Sequence, residues 1–519
     1  VSLGKVLTDD APDVAAEELL TSLMLRPWGQ VSPSVYETGR LVSLAPWLIG
    51  HRERIDYLLG SQLPDGAWGA PDGYGLVPTL SATEGILSAA MRGDPGADRR
   101  RLLPPVERGL GVLTTWLGGR LDLPDMPAIE HIVPSLVALI NRHADALGHP
   151  PLPLPEGMNY DTLQLVRARV TSGAEVPEKL LHALEIVGEE AAGAPGIRPT
   201  AVGTVGASPA ATVAWLGERG ATDPHEPALE HLEAVVRRHG GPVPVGVPIT
   251  VFERSWVLSW LLRAGVPIEV PPEMVADLRV AVASAGTPAG AGLPADADTT
   301  SMTLYALALL GVPHEPDILW RFRSGVHFST WPGEQGVSVS VNAHVLDAFG
   351  QYVARKPATA PRYEETIADV AAWLRGRQLP DGRWTDRWHA SPYYATAACG
   401  LALDEFGGDA SAEAVRAAVE WVLGSQRPDG SWGRWEGTAE ETAYAMQVLL
   451  MARMREDPRC VRAADRGHEY LTRAADQEHP PLWHDKDLYA PFAVTRAAVI
   501  SSSHLARQAR PRPLDGTVS

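Results

Sequence analysis

The chain has 519 residues, 45% hydrophobic and 21% charged, enough for two or three domains with full cores. Its formal net charge of −18 excludes sequence-independent nucleic-acid binding and an electrostatic grip on anionic membranes. Cys399 and Cys460 are too few for a disulfide framework or a cysteine zinc site, no apolar run spans a membrane, and the acidic N-terminus is no signal peptide, so a cytoplasmic enzyme is expected.

In chain order, residues 13–26 read as an amphipathic helix with Leu19, Leu20, Leu23 and Leu25 toward a core. Just before it, Asp9-Asp10-Ala11-Pro12-Asp13 is formally a D-D-x-x-D magnesium pattern, but it holds a proline and reads as a solvated segment. From Pro27 the chain runs Pro-Trp-Gly-Gln-Val-Ser-Pro-Ser-Val-Tyr-Glu-Thr-Gly-Arg into the apolar stretch 41–49. A further helix leads to Gln62-Leu63-Pro64-Asp65-Gly66-Ala67-Trp68. The string returns at Gln378-Leu379-Pro380-Asp381-Gly382-Arg383-Trp384 and at Gln426-Arg427-Pro428-Asp429-Gly430-Ser431-Trp432. Three copies of Q-x-P-D-G-x-W mark internal repeats. Pro-Asp-Gly makes a tight turn after a helix, Gln satisfies helix-end groups, and the Trp ring covers the turn. The unit clips consecutive helices together and carries no chemistry of its own.

Between these units the periodic segments are helical: 129–143, 209–218, 252–264, 301–310, 339–352, 364–377, 412–423 and 438–454. Alternating strand patterns are nearly absent. Pro/Gly-rich breaks fall at 148–157, 193–209, 240–248 and 286–294, and the last divides the chain into two halves. The pattern predicts an all-α protein of two helical barrels.

After that last break comes Pro294-Ala295-Asp296-Ala297-Asp298-Thr299-Thr300-Ser301, at the mouth of a helix. Asp and Thr are good N-caps, so one reading is a helix start and nothing more. The other reading is chemical. Two close carboxyls cannot both ionise cheaply, and burial raises an Asp pKa further, so a protonated member of the pair can give its proton to an alkene. The spacing alone leaves both readings open.

With these strings in view the sequence resembles the bacterial class II diterpene cyclases, relatives of squalene–hopene cyclases and of plant copalyl diphosphate synthases. The repeats resemble the QW motifs of that superfamily, and Ser32-Pro33-Ser34-Val35-Tyr36-Glu37-Thr38 resembles its N-terminal S-x-S-x-Y-D-T. Ser208-Pro209-Ala210-Ala211-Thr212 and Phe252-Glu253-Arg254 follow in the family's order. So do Ser340-Val341-Asn342-Ala343-His344-Val345-Leu346, Trp388-His389-Ala390-Ser391-Pro392-Tyr393-Tyr394, Glu440-Glu441-Thr442-Ala443-Tyr444 and Lys486-Asp487-Leu488-Tyr489. The likeness covers essentially the whole chain. It implies a βγ architecture: residues 1–26 a first helical segment of the β domain, 27–285 an inserted γ barrel, and 286–519 the rest of the β barrel, with no class I α domain. The family's acid pattern is D-x-D-D, whereas Thr299 stands fourth here. That D-x-D-T-T form resembles halimadienyl and terpentedienyl diphosphate synthases.

The resemblance implies protonation-initiated cyclisation of geranylgeranyl diphosphate to a bicyclic diterpenyl diphosphate that keeps its diphosphate. A rearranged clerodienyl (terpentedienyl) or halimadienyl skeleton is expected, with an unrearranged copalyl skeleton as the alternative. Asp298 is the implied proton donor, with Asp296 and Thr299 beside it. Asn342 is the implied amide on the acid's second oxygen, and His344 is placed to assist. Trp256, Trp260, Trp331, Trp388, Tyr393 and Tyr394 are candidate faces for a carbocation, since aromatic rings hold positive charge without a nucleophilic lone pair. Arg254 and Lys486 are candidate diphosphate ligands, and Glu130 a candidate ligand for one Mg2+. A downstream class I diterpene synthase is the implied pathway partner. Two other readings stand beside this one. A cyclase of neutral polyprenes calls for a greasy membrane-docking helix, which the sequence lacks. A non-enzymatic helical repeat module fits the repeats, but the Asp pair and the ordered motifs speak against it.

Overall fold

The structure, a computed structural model, describes residues 12–94, 98–223, 225–334, 336–474 and 477–509, and only the backbone of 144–147. Asp9 and Asp10 of the D-D-x-x-D string lie outside the described residues. The first helices are α1 (Pro12–Leu25), α2 (Val35–Leu44), α3 (His51–Gly60), α4 (Leu76–Arg92), α5 (Arg99–Leu117), α6 (Ile129–Leu147), α7 (Asp161–Thr171), the single turn α8 (Glu178–Leu181), α9 (Pro209–Leu216) and α10 (Pro227–His239). They are followed by α11 (Thr250–Arg263), α12 (Pro272–Ala281), α13 (Ala297–Leu309), α14 (Val339–Arg355), α15 (Ala360–Arg375), α16 (Pro392–Phe406), α17 (Ala412–Gly424), α18 (Ala439–Met451), α19 (Pro458–Arg473) and α20 (Phe492–Ala509). No helix among the described residues is long and apolar enough to cross a membrane.

Packing sorts these helices into two rings. In the first, α2, α4, α6, the 3-10 segment Leu184–Ala191 and α9 touch in succession and close back on α2, with α3, α5, α7 and α10 outside. In the second, α11, α13, α14, α16, α18 and α20 close the ring, with α12, α15, α17, α19 and α1 outside. The sequence explains which helix goes where. Inner helices such as α13, α14, α16 and α18 are small or apolar on nearly every face and are buried almost throughout. Outer helices bury one stripe: α19 covers Cys460, Ala463, Ala464, Gly467 and Leu471.

The ring membership moves the domain boundary. The sequence division assigned 27–285 to the first barrel, yet α11 and α12 pack on α13, and α11 also on α20, so both belong to the second. The junction falls after α10, in the 240–248 break instead of the 286–294 one. Both stretches are Pro/Gly-rich, and only packing distinguishes a barrel junction from a loop within a barrel.

The Q-x-P-D-G-x-W units have one geometry three times over. Gln62, Gln378 and Gln426 each donate from Nε2 to the turn glycine's carbonyl, at 2.9, 2.7 and 2.9 Å. Each also donates to a carbonyl of the next outer helix: Pro105 at 2.9 Å, Ala414 and Ala463 at 2.8 Å. Trp68, Trp384 and Trp432 are fully buried and donate from Nε1 to the preceding helix, at Leu58, Leu374 and Val422. The Gln amide and the Trp indole of each unit are thus spent on joining helices. Three two-stranded ladders complete the frame: β1 (Thr287–Pro288) with β2 (Ala295–Asp296), β3 (Arg323–Ser324) with β4 (His327–Phe328), and β5 (Trp483–His484) with β6 (Leu488–Tyr489). They fix the loops on which the Asp pair and its neighbours stand.

Candidate active site

Helix α13 starts where β2 ends, and Asp296 is both the last strand residue and the N-cap. Its carboxylate accepts from the Thr299 N–H at 2.6 Å and from the Thr299 hydroxyl at 2.9 Å. Thr300 Oγ1 donates to the Asp296 carbonyl at 2.5 Å and accepts from the Thr287 N–H at 2.8 Å, locking the helix start to β1. Asp296 is 7% exposed. Burial pushes its carboxyl up to about 8, with the Asp298 charge adding and the Thr299 donors opposing. Burial thus favours the protonated form of Asp296.

Asp298 has a different setting. Its side chain keeps 16% exposure, and Oδ1 lies 2.6 Å from Nδ1 of His344 on α14. Among the described residues nothing hydrogen-bonds to Oδ2. Asp296 is thus the cap, while Asp298 meets His344 through one oxygen.

Asn342 is corrected by this geometry. Its Oδ1 accepts the Phe328 N–H at 2.8 Å, while Nδ2 donates to the carbonyls of Phe328 at 2.9 Å and Ser338 at 2.8 Å. Both amide protons are taken, so Asn342 fixes β4 against α14 and does not hold the acid. Residues two apart on a helix point about 200° away from each other, so Asn342 and His344 cannot face the same partner. Docking of the β3–β4 hairpin settles which faces which.

Around the acid the rings come from four elements. Trp256 of α11 lies edge-on to His344 at 5.5 Å and donates from Nε1 to the Tyr394 hydroxyl at 3.0 Å. Tyr394 of α16 stacks on His389 at 4.5 Å and lies 4.8 Å from Trp483 of β5 and 5.3 Å from Tyr444 of α18. Trp260 sits one helical turn past Trp256, against Tyr444 at 5.4 Å. Trp331 and Trp388 form a separate edge-to-face pair at 5.5 Å, and Trp388 donates to Thr330, whose carbonyl accepts from Ala297 N at the start of α13. Tyr393 is a correction: one residue before Tyr394 and about 100° round the helix, it turns outward onto Trp421 of α17 at 4.7 Å. Sequence reasoning assigned no role to His389, Glu440, Tyr444, Trp483 and Tyr489. All five stood in or beside the motif strings, and the Glu440–Tyr444 spacing of four on a helix was the available signal.

Neither candidate diphosphate ligand faces the ring cluster. Arg254, two residues from Trp256, faces the other side of α11 and pairs with Asp277 of α12 at 2.7 Å. Lys486 is fully buried between the barrels. Its Nζ contacts Glu37, Glu185 at 2.9 Å, Ser208 Oγ at 2.8 Å and the His182 carbonyl at 2.7 Å, leaving none of its three protons for a ligand. Asp487 accepts from Ser34 Oγ and the Tyr36 N–H, both at 3.1 Å, so three motif strings meet in one interdomain knot. Lys486→Met is expected to destabilise the protein by about 3–5 kcal/mol, because two buried carboxylates lose their cation. Urea denaturation checks this, and any protein that stays folded should bind substrate as the parent does.

Glu130, in the first turn of α6, is 58% exposed with His131 Nε2 at 3.5 Å, and no group of three metal-ligating side chains occurs among the described residues. Instead a cavity of about 430 Å³ opens at the barrel junction, walled by Tyr74 and Asp125 of the first barrel and by Arg383, Arg387, Arg434 and His389 of the second. Arg387 pairs with Glu334 at 2.5 Å and Asp125 at 3.1 Å, and Arg434 with Asp72 at 3.0 Å. His389 stands in this wall and also in the aromatic cluster, so the charged cavity and the acid's surroundings share a partition.

Compared with known proteins, residues 335–496 match the squalene–hopene cyclase C-terminal domain. The chain is 42% identical to the ent-copalyl diphosphate synthase of Streptomyces sp. (strain KO-3988), over 94% of this chain and 95% of that one. It is 35% identical to the terpentedienyl-diphosphate synthase of Kitasatospora griseola, over 91% of this chain and 97% of that one. The solved ent-copalyl diphosphate synthase from Streptomyces platensis matches with a TM-score of 0.91 at 44% identity, covering 96% of this chain and 99% of that one.

Proposed function

Because the chain belongs to the bacterial class II diterpene cyclases, we propose that it cyclises geranylgeranyl diphosphate by protonating the terminal alkene, giving an unrearranged, copalyl-type bicyclic diphosphate. The observation that carries this reading is Asp298 held at one oxygen by His344, with its other oxygen unbonded among the described residues and aromatic rings nearby. The proton passes from Oδ2 to the alkene carbon that bears one hydrogen. The dimethyl carbon becomes cationic, and two internal alkenes attack in turn to close two rings. As Asp298 turns from acid to carboxylate, the Nδ1–H···Oδ1 bond becomes charge-assisted, so His344 stabilises the transition state more than the ground state. Asp296, uncharged near neutral pH, adds no like charge to oppose the new anion. Trp256 and Tyr394 offer ring faces to the cation without a base strong enough to end the reaction early.

Diphosphate recognition fits the junction cavity better than Arg254 or Lys486, since three guanidinium groups line it. Magnesium fits there too: it is bound through one or two carboxylates together with substrate phosphates, and Asp125 supplies a carboxylate on the wall, with Glu130 five residues on. When bound, Mg2+ would neutralise diphosphate charge. Arg434→Gln is expected to raise KM for geranylgeranyl diphosphate about tenfold with kcat nearly unchanged, as loss of uniform binding does. Initial rates across substrate concentration check it.

On the skeleton, the 42% and 44% identical relatives are ent-copalyl diphosphate synthases, and the terpentedienyl synthase is 35% identical. The Thr299 hydroxyl bonds Asp296, so the departure from D-x-D-D acts on the cap. The rearranged skeleton is kept as a second reading by the D-x-D-T-T resemblance. Incubation with geranylgeranyl diphosphate and Mg2+, phosphatase treatment and NMR of the alcohol test both. Methyl positions of an unrearranged labdane support the first reading, shifted methyls the second, and geranylgeraniol alone would overturn both.

A further inference from the structure

Of the ten carboxylates buried among the described residues, five have a permanent cation: Glu84 has Arg40, Asp94 has Arg92, Glu37 and Glu185 have Lys486, and Asp347 has Arg263. Glu440 has none among the described residues. It stands in the first turn of α18 at 4% exposure, walled by rings. Its Oε1 accepts from Trp483 Nε1 at 2.7 Å, the Tyr444 hydroxyl at 3.0 Å and His389 Nε2 at 3.2 Å. His389 Nδ1 already accepts the Ser391 N–H at 3.0 Å, so the imidazole brings its proton on Nε2.

Three donors and the positive end of α18 hold this carboxyl below its ordinary range despite burial, chiefly through His389. Oε2 has no hydrogen bond among the described residues and is not sealed away. A buried anion with aromatic walls and no counterion is costly unless a cation arrives. The reaction brings one. Tyr394 connects the two charged groups: its ring is 6.3 Å from His344, which holds Asp298, and 4.5 Å from His389, which holds Glu440. A substrate protonated at Asp298 carries its positive charge away from that end as the rings close.

Resting on the cyclase reading, we propose that Glu440 is a second catalytic residue, which balances the late carbocation and takes the terminating proton at Oε2. A C–H bond beside the cationic carbon breaks, its electron pair becomes the new C=C, and the proton goes to Glu440. One proton enters from Asp298 and one leaves to Glu440, so the conversion is an isomerisation, and solvent resets both carboxyls.

The test is Glu440→Gln, which keeps size and an acceptor oxygen but removes the charge. With kcat, KM and product identity measured together, kcat should fall about 10²-fold with KM nearly unchanged, and the product should spread into isomeric alkenes or a water-captured bicyclic alcohol. Tyr444→Phe, which removes one donor and leaves the carboxylate, should keep the parent's product with a smaller rate loss. A folded Glu440→Gln that makes the parent's single product at the parent's rate overturns the proposal. So does scrambling by Tyr444→Phe alone. If Glu440→Gln fails to fold, Glu440→Asp replaces it: mixed products at a reduced rate support the assignment, and the parent's product at the parent's rate overturns it. Failure of the underlying cyclase reading would look different, because the parent itself would make no bicycle.

Discussion

Asp298→Asn is expected to lower formation of the bicyclic product at least ~10³-fold while leaving the fold intact. An isolated alkene is a poor base, so protonating it demands an acid with its own proton at the point of contact. The amide matches the carboxyl in size, and its oxygen still accepts from His344 Nδ1, but it has no acidic proton. The side chain keeps 16% exposure and caps nothing, so its replacement should leave the melting temperature nearly unchanged. Asp296 cannot substitute, because Thr299 holds both of its oxygens at the helix start. Phosphatase-released alcohols measured against time, with circular dichroism of the same sample, check this. Activity within tenfold of the parent would contradict it.

His344→Ala is expected to reduce kcat about 10²–10³-fold with KM little changed, the loss seen when one donor to a developing oxyanion is removed. The Nδ1···Oδ1 contact at 2.6 Å places this donor on the oxygen whose charge grows as the proton leaves. The junction cavity proposed for the diphosphate lies beyond His389, so substrate affinity should survive. Kinetics at saturating substrate separate this from a folding defect. A matching rise in KM without loss of kcat would instead make His344 a binding residue.

The fold was legible wherever chemistry is local. The three Q-x-P-D-G-x-W turns close as their residues dictate, because glycine, glutamine and tryptophan find their partners within the turn and the adjoining helices. What escaped the sequence depends on distant partners. Lys486 could not be distinguished from a diphosphate ligand, since Glu37 and Glu185 are more than 300 residues away in the chain. Asn342 and His344 lie two apart, and only the hairpin that ends at Phe328 claims the first and leaves the second for Asp298. Glu440 sat in a quoted string, yet its role depends on Trp483 and His389 arriving from two other segments.

In the proposed mechanism cyclisation begins with a proton from Asp298, and turnover of geranylgeranyl diphosphate in D2O tests that step. Mass spectrometry and NMR of the dephosphorylated product should show one deuterium, at the ring carbon derived from the singly hydrogenated end of the terminal alkene, with the diphosphate retained until phosphatase is added. A product without deuterium there, or a hydrocarbon formed with release of pyrophosphate, would contradict the account.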